Sequence, residues 1–161
     1  MEKKIFTFIL LIFLSSCGYE AIYSVKNIKN YDFSISKLSF IGDREINLKI
    51  KQKLNNYTQE IKDINFILKI TSTSEKIILA KDDAGDSTNF KIKTIVNIDV
   101  FNKEKLKSNF IITESFNYDN NSDKFELKNY EKEIKRNLAD IITEKLIFKL
   151  ANIKWYINHL S

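Results

Sequence analysis

Between Phe90 and Val100 the side chains follow a period of two. Phe90, Ile92, Thr94, Val96, Ile98 and Val100 hold every second position, and Lys91, Lys93, Asn97 and Asp99 lie between them. Successive side chains of a strand point to opposite faces, so a period of two demands an extended segment with one buried and one solvated face. That constrains the rest of the chain, which must supply neighbouring strands and a cover for the apolar side.

Both are legible. A turn at Asn102-Lys103-Glu104-Lys105 leads into Phe110, Ile112 and Phe116, alternating with Asn109, Thr113 and Ser115. The two runs are expected to pair as an antiparallel hairpin. Upstream, Phe66, Leu68 and Ile70 open a strand that continues through Thr71 to Ser74 and on to Ile77-Ile78-Leu79, closed by the polar turn Lys81 to Ser87 around Gly85. Phe33 to Ile41 reads as a first strand with an irregularity near Lys37.

The cover comes from two helices. Gly42-Asp43 supplies a break and an N-cap, after which Ile46, Ile50, Leu54 and Tyr57 recur at helical spacing, predicting an amphipathic helix over about residues 44–59. Beyond the loop Asp119 to Lys124, the residues Leu127, Tyr130, Ile134, Leu138, Ile141, Ile142, Leu146, Leu150 and Ile153 recur at three and four. A helix of about 25 residues, ~38 Å long, follows. The order is β-α-β-β-β-α. The expected fold is α+β, a two-layer sandwich with both helices on one face of a four-stranded, mostly antiparallel (mixed) sheet; the helix after the first strand gives room for a parallel pairing.

The N-terminus carries a different signal. Lys3 and Lys4 precede Ile5 to Leu14, an apolar run broken only by Thr7. A membrane-spanning helix needs roughly 20 apolar residues. The shorter run has the form of a signal-peptide core instead. It ends in Leu14-Ser15-Ser16-Cys17, which resembles the bacterial lipobox, where the peptide is cut before the cysteine and the thiol receives diacylglycerol. Cys17 is the chain's one cysteine, so it has no disulfide partner within the chain. The expected organisation is a signal peptide over 1–16 with cleavage between Ser16 and Cys17, a lipidated tether over 17–32, one domain over 33–153 and a tail over 154–161 that extends the helix or frays. Diacylglycerol and an N-acyl chain on Cys17 would be the only additions; no cofactor or metal is expected. Two or more acyl chains hold a protein stably on a bilayer. Gly18, where lipobox proteins retained at the inner membrane tend to carry Asp, favours the outer membrane, facing the periplasm.

The formal charge is +5, to which Glu2, Lys3 and Lys4 contribute +1, leaving +4 after cleavage. Such a balance suits an anionic partner, although the abundance of Ile, Lys and Asn and the lack of Pro match an AT-rich codon bias. Export argues against nucleic acid. No catalytic constellation assembles either, so the chain is not expected to be an enzyme. His159 stands alone near the end, and Asp82-Asp83 and the carboxylates of Asp119 to Asp123 read as solvated turns. Three glycines in all leave no phosphate-binding loop. Two binding candidates remain. Lys91 and Lys93, with Asn97, Lys107 and Asn109, fall on the open sheet face and suit either phosphate binding or plain solvation. Tyr19, Tyr23, Trp155 and Tyr156 suit a partner, a membrane surface or packing on the domain.

Together these residues resemble the LPS-assembly lipoprotein (LptE-like) family. The likeness rests on Cys17-Gly18-Tyr19 after the lipobox, on the strand–helix–three strands–helix order, and on a closing helix with Lys135-Arg136-Asn137-Leu138-Ala139, Ile141-Ile142 and Leu146 to Leu150. It implies an outer-membrane lipoprotein on the inner leaflet that plugs an LptD-type β-barrel, assists its assembly and helps insert lipopolysaccharide into the outer leaflet. Some members bind lipopolysaccharide through basic residues, a role for which Lys91, Lys93 and Lys107 are this chain's candidates from face geometry. Two other readings stay open: a scaffold lipoprotein of general outer-membrane protein assembly, and a periplasmic lipid carrier with an apolar cavity between helices and sheet.

Overall fold

A computed structural model describes residues 31–160, with side chains as far as Lys154. Ser16, Cys17, Tyr19 and Tyr23 lie outside the described residues. From Asp32 onward the chain forms one unit. Its elements are β1 (Ser34–Gly42), α1 (Arg44–Leu54) with a 3-10 turn over Asn55–Tyr57, β2 (Asn65–Lys81), β3 (Ser87–Asn102), β4 (Lys105–Asp119) and α2 (Lys124–Leu160). The sheet order is β1-β2-β3-β4, with β1 parallel to β2 and the other pairings antiparallel. This is the expected α+β sandwich.

Alternation builds the core. Phe66, Leu68 and Ile70 of β2 and Phe90, Ile92, Val96, Ile98 and Val100 of β3 are all buried, as are Ile112 and Tyr118 of β4. A register shift between Ile35 and Lys37 interrupts β1 where the irregularity was expected. It turns Lys37 to the open face and sets Leu38 and Phe40 opposite Leu68 and Ile70.

Gly42 and Asp43 make the exit from β1. Gly42 has φ +103°, a left-handed conformation suited to glycine, and it lies so close to Ser72 that a Cβ would sit 1.8 Å from the Ser72 carbonyl oxygen. Asp43 then caps α1, its Oδ1 accepting from the backbone N–H of Glu45 and Ile46 at 3.0 and 3.2 Å. Ile46, Ile50 and Leu54 face the core. The α-helix stops at Leu54, short of the expected residue 59. The Asn55-Asn56 pair, weak helix formers, continues it as a single tighter turn. That turn buries Tyr57, which stacks on Phe33 at 4.8 Å between centroids.

The second helix exceeds expectation. It has 37 residues, or about 55 Å at the α-helical rise, and continues through residues 154–160, which the sequence left between extension and fraying. No Pro or Gly interrupts it. Asp123 starts it, Oδ1 accepting from Phe125 and Glu126 N–H at 2.8 and 3.0 Å. Its length is close to the ~56 Å of a 17-residue strand such as β2. The two helices run side by side in the same direction. Asp43 pairs with Lys135, Glu45 with Arg136, Lys49 with Asp140, and Lys53 with Asp140 and Glu144, in register along both.

Candidate functional site

Both helices pack on one side of the sheet and leave its other side uncovered. Across the strands, Ile41, Thr71, Asn97 and Ile111 form one row, and Thr73, Ile95 and Thr113 the next. Ile41 is 70% exposed and Ile111 67%. These two rows are neither a dry apolar patch nor a charged one. Short hydroxyls and β-branched side chains alternate over a flat area, a surface that can lie against another polar sheet or barrel wall with water at the contact.

The candidate lysines occupy two separate places on it. Lys91 lies between Ile77 and Asn117, and Lys93 between Glu75 and Ser115. Lys93 Nζ is 3.5 Å from Glu75 Oε1, so part of its charge already has a counterion. Lys107 is not beside them. The β3–β4 register shifts between Val100 and Phe101, opposite Ser108 and Leu106, leaving Lys107 as the extra residue of a bulge. Along β4 it stands eight positions from Ser115, about 26 Å in a strand. Asn109 faces Asp99 and donates to its Oδ1 at 2.6 Å. The strip is therefore a pair of lysines at mid-sheet and a distant lysine at the turn, not a continuous row.

Two other lysines do converge. A cleft of about 450 Å³ on the open face is lined by Lys37, Ser39, Ile67, Lys69, Phe101 and Glu104. Lys69 Nζ lies 4.9 Å over the Phe101 ring, a cation–π contact that holds the ammonium above an apolar floor. The arrangement sets two ammonium groups and one carboxylate, Glu104, around a partly apolar hollow, a net positive charge that suits an anionic head joined to an apolar body. Alternation already put Lys69 opposite Phe66, Leu68 and Ile70. Lys37 joins it only because the β1 bulge flips the alternation there.

A second, larger groove of about 1010 Å³ opens at the other end of the sheet, lined by Leu79, Phe116 and Tyr130 together with Asn89, Asn117, Asn120 and Glu126. Beside it, Glu131 of α2 is clamped from the sheet. Its Oε1 accepts from Lys76 Nζ at 2.6 Å and from the Tyr118 hydroxyl at 2.7 Å, while Lys76 lies 3.7 Å over the Phe90 ring. Burial works to raise the carboxyl of Glu131, but these two bonds outweigh it and hold it below the usual glutamate range. Burial and the adjacent carboxylate push the Tyr118 phenol well above its ordinary value. This cluster fastens the helix to the sheet.

Among the described residues, no three metal-ligating side chains come together and no helix is long and apolar enough to cross a membrane. Trp155, Tyr156 and His159 belong to α2, but their side chains lie outside the described residues.

No protein-family model matches the chain, and no curated protein does. Solved structures match over most of its length. Rare lipoprotein B from Shewanella oneidensis is similar at a TM-score of 0.55 and 18% identity, covering 73% of this chain and 98% of that one. A minor lipoprotein from Acinetobacter baumannii is similar at 0.55 and 12% identity, covering 77% and 93%. An uncharacterized lipoprotein B from Nitrosomonas europaea is similar at 0.54 and 9% identity, covering 80% and 92%. At such identities the likeness is one of fold.

Proposed function

We propose that this chain is a lipid-anchored protein of the outer membrane, facing the periplasm, that plugs an LptD-type β-barrel, assists its assembly and helps insert lipopolysaccharide into the outer leaflet, without catalysing a reaction. The observation that carries the reading is the fold likeness to three bacterial lipoproteins, extending over nine-tenths or more of each. It meets an independent feature of the chain itself, the Leu14-Ser15-Ser16-Cys17 sequence after an apolar run too short to span a bilayer.

The geometry supports the role in two ways. A barrel lumen is polar, and the helix-free sheet face, with its rows of Thr, Asn and Ile, can fill such a space without a dry interface. Lys37 and Lys69 over the Ile67–Phe101 floor supply a place for a phosphorylated, acylated glycolipid to touch the plug. Lys91 and Lys93 offer further positive charge at mid-sheet. A lipid tether raises the effective concentration of the plug at the membrane that holds the barrel.

A pull-down of the tagged full chain from detergent-solubilised outer membrane tests the reading. The expected result is co-elution of one large β-barrel of the lipopolysaccharide export type in near-equal amount. Elution with the general outer-membrane insertion barrel would transfer the chain to a scaffold role. Elution with stoichiometric lipid and no barrel would make it a carrier. Either result contradicts the proposal.

A further inference from the structure

We propose that the pole of the domain bearing the β3–β4 turn rests on an anionic phospholipid surface, with Leu106 and Ile61 entering the headgroup layer and Lys103, Lys105 and Lys107 facing the phosphates. The proposal rests on the reading of Cys17 as a lipid anchor, and it adds which end of the protein meets the bilayer and through which side chains.

Hydrogen bonds and ion pairs gather four segments at this pole. The Asn102 side-chain amide donates to the Asn65 carbonyl at 2.8 Å, joining the turn to the start of β2. The backbone N–H of Lys62 donates to Ser34 Oγ at 3.0 Å, joining the loop before β2 to the start of β1. Asp32 receives Lys154 Nζ at 3.0 Å and lies 3.7 Å from Lys62 Nζ. The residue at which the N-terminal segment enters the domain is thereby held against the C-terminal part of α2. Fifteen chain steps separate Cys17 from Asp32 and extend to at most about 50 Å. The anchor at residue 17 therefore joins the domain through Asp32, at this pole.

What the pole presents fits lipid. Ile61 is 91% exposed and Leu106 59%. Leu106 stands between Lys105 and Lys107, with Lys103 beyond; all three lysines are exposed, and none forms a salt bridge among the described residues. Glu104 is the one acidic residue of that turn, while Glu60 and Asp63 flank Ile61, so the positive field belongs to the turn itself. The turn is also stiff. Lys103 and Glu104 both have positive φ, 48° and 63°, in a two-residue connection between long strands. Leu106, in β4 opposite Phe101 and flanked by lysines just behind a stiff turn, has the chemistry of interfacial attachment: its side chain displaces headgroup water while the ammonium groups stay with the phosphates. It also gives Lys107, remote from Lys91 and Lys93, a role of its own.

Cys17 is the chain's only cysteine, and a sulfur alkylated with diacylglycerol does not react with maleimides. Leu106→Cys, Ile61→Cys and, at the opposite pole, Leu79→Cys therefore each create one labelling site in the full lipidated protein. The labelled proteins are placed in vesicles of phosphatidylethanolamine and phosphatidylglycerol that carry nitroxide-bearing lipid. Labels at 106 and 61 are expected to be quenched several-fold more than the label at 79. Changing Lys103, Lys105 and Lys107 together to Glu is expected to bring quenching at 61 and 106 down to the level at 79 while the protein still floats with the vesicles. Equal quenching at 106 and 79 in the otherwise unaltered protein overturns the proposal and leaves the anchor standing. A protein that fails to float with the vesicles overturns the anchor, and this proposal with it.

Discussion

Lys135, about a third of the way along α2, reaches across to the carboxylate that starts α1: its Nζ lies 2.8 Å from Asp43 Oδ2. The other oxygen of Asp43 caps the helix. One side chain thus starts the first helix and pins it to the second, and both bonds hold the carboxyl below its usual range against the opposing effect of burial. Asp43→Ala is expected to cost about 1–2 kcal/mol, the usual loss of a helix N-cap. Asp43→Asn, which keeps the cap and loses the ion pair, should cost distinctly less. Urea unfolding of the two variants beside the parent checks the order; equal losses would mean that the cap contributes nothing.

Gly42→Ala should be among the most damaging single changes. The backbone there is left-handed, which alone costs roughly 1–2 kcal/mol for any other residue, and the new methyl group would collide with the Ser72 carbonyl, which cannot rotate away. A loss of about 3 kcal/mol or more is expected, read as a fall in the urea midpoint. A neutral result would contradict the close approach of β1 and β2 at this point.

The Glu131 clamp makes stability fall at both ends of the pH scale, for opposite reasons. Glu131 has a lowered pKa in the fold, so its contribution is complete above the ordinary glutamate value of 4.5 and is lost as pH falls through the lower folded value. Tyr118 has a raised pKa, so its contribution is complete below 10 and is lost as pH rises beyond that. Glu131→Gln should flatten the acid limb relative to the parent, and Tyr118→Phe the alkaline one. Thermal unfolding from pH 3 to 11 checks both, and limbs unchanged in either variant would count against the clamp.

Much of the fold was legible because its determinants are local. Alternation from Phe90 to Val100 names the buried face whatever the neighbours are, and Gly42-Asp43 announces a break and a cap within two residues. The irregularity near Lys37 was legible too, as a fault in the period. What escaped depends on register between distant segments. The ion pair of Lys93 with Glu75 follows from which β2 residue lies opposite, and the displacement of Lys107 follows from a bulge set by the tight Lys103-Glu104 turn. Both are decided by pairing rather than by composition. Lys37 and Lys69 carry plain alternation or bulge signals one at a time; only the parallel pairing of β1 with β2 brings them to one cleft. The second helix runs on through residues 154–160, which the sequence left open, because no Pro or Gly stops it and apolar residues recur at helical spacing from Ile153 to Tyr156, Ile157 and Leu160.

Anchoring, location and role all depend on what is attached to residue 17, and intact mass analysis of the native protein purified from membranes reads that directly. The expected chain begins at Cys17 and is heavier than its peptide mass by a diacylglycerol and an N-acyl chain. A chain that still begins at Met1, or one with a free thiol at residue 17, would contradict the anchor.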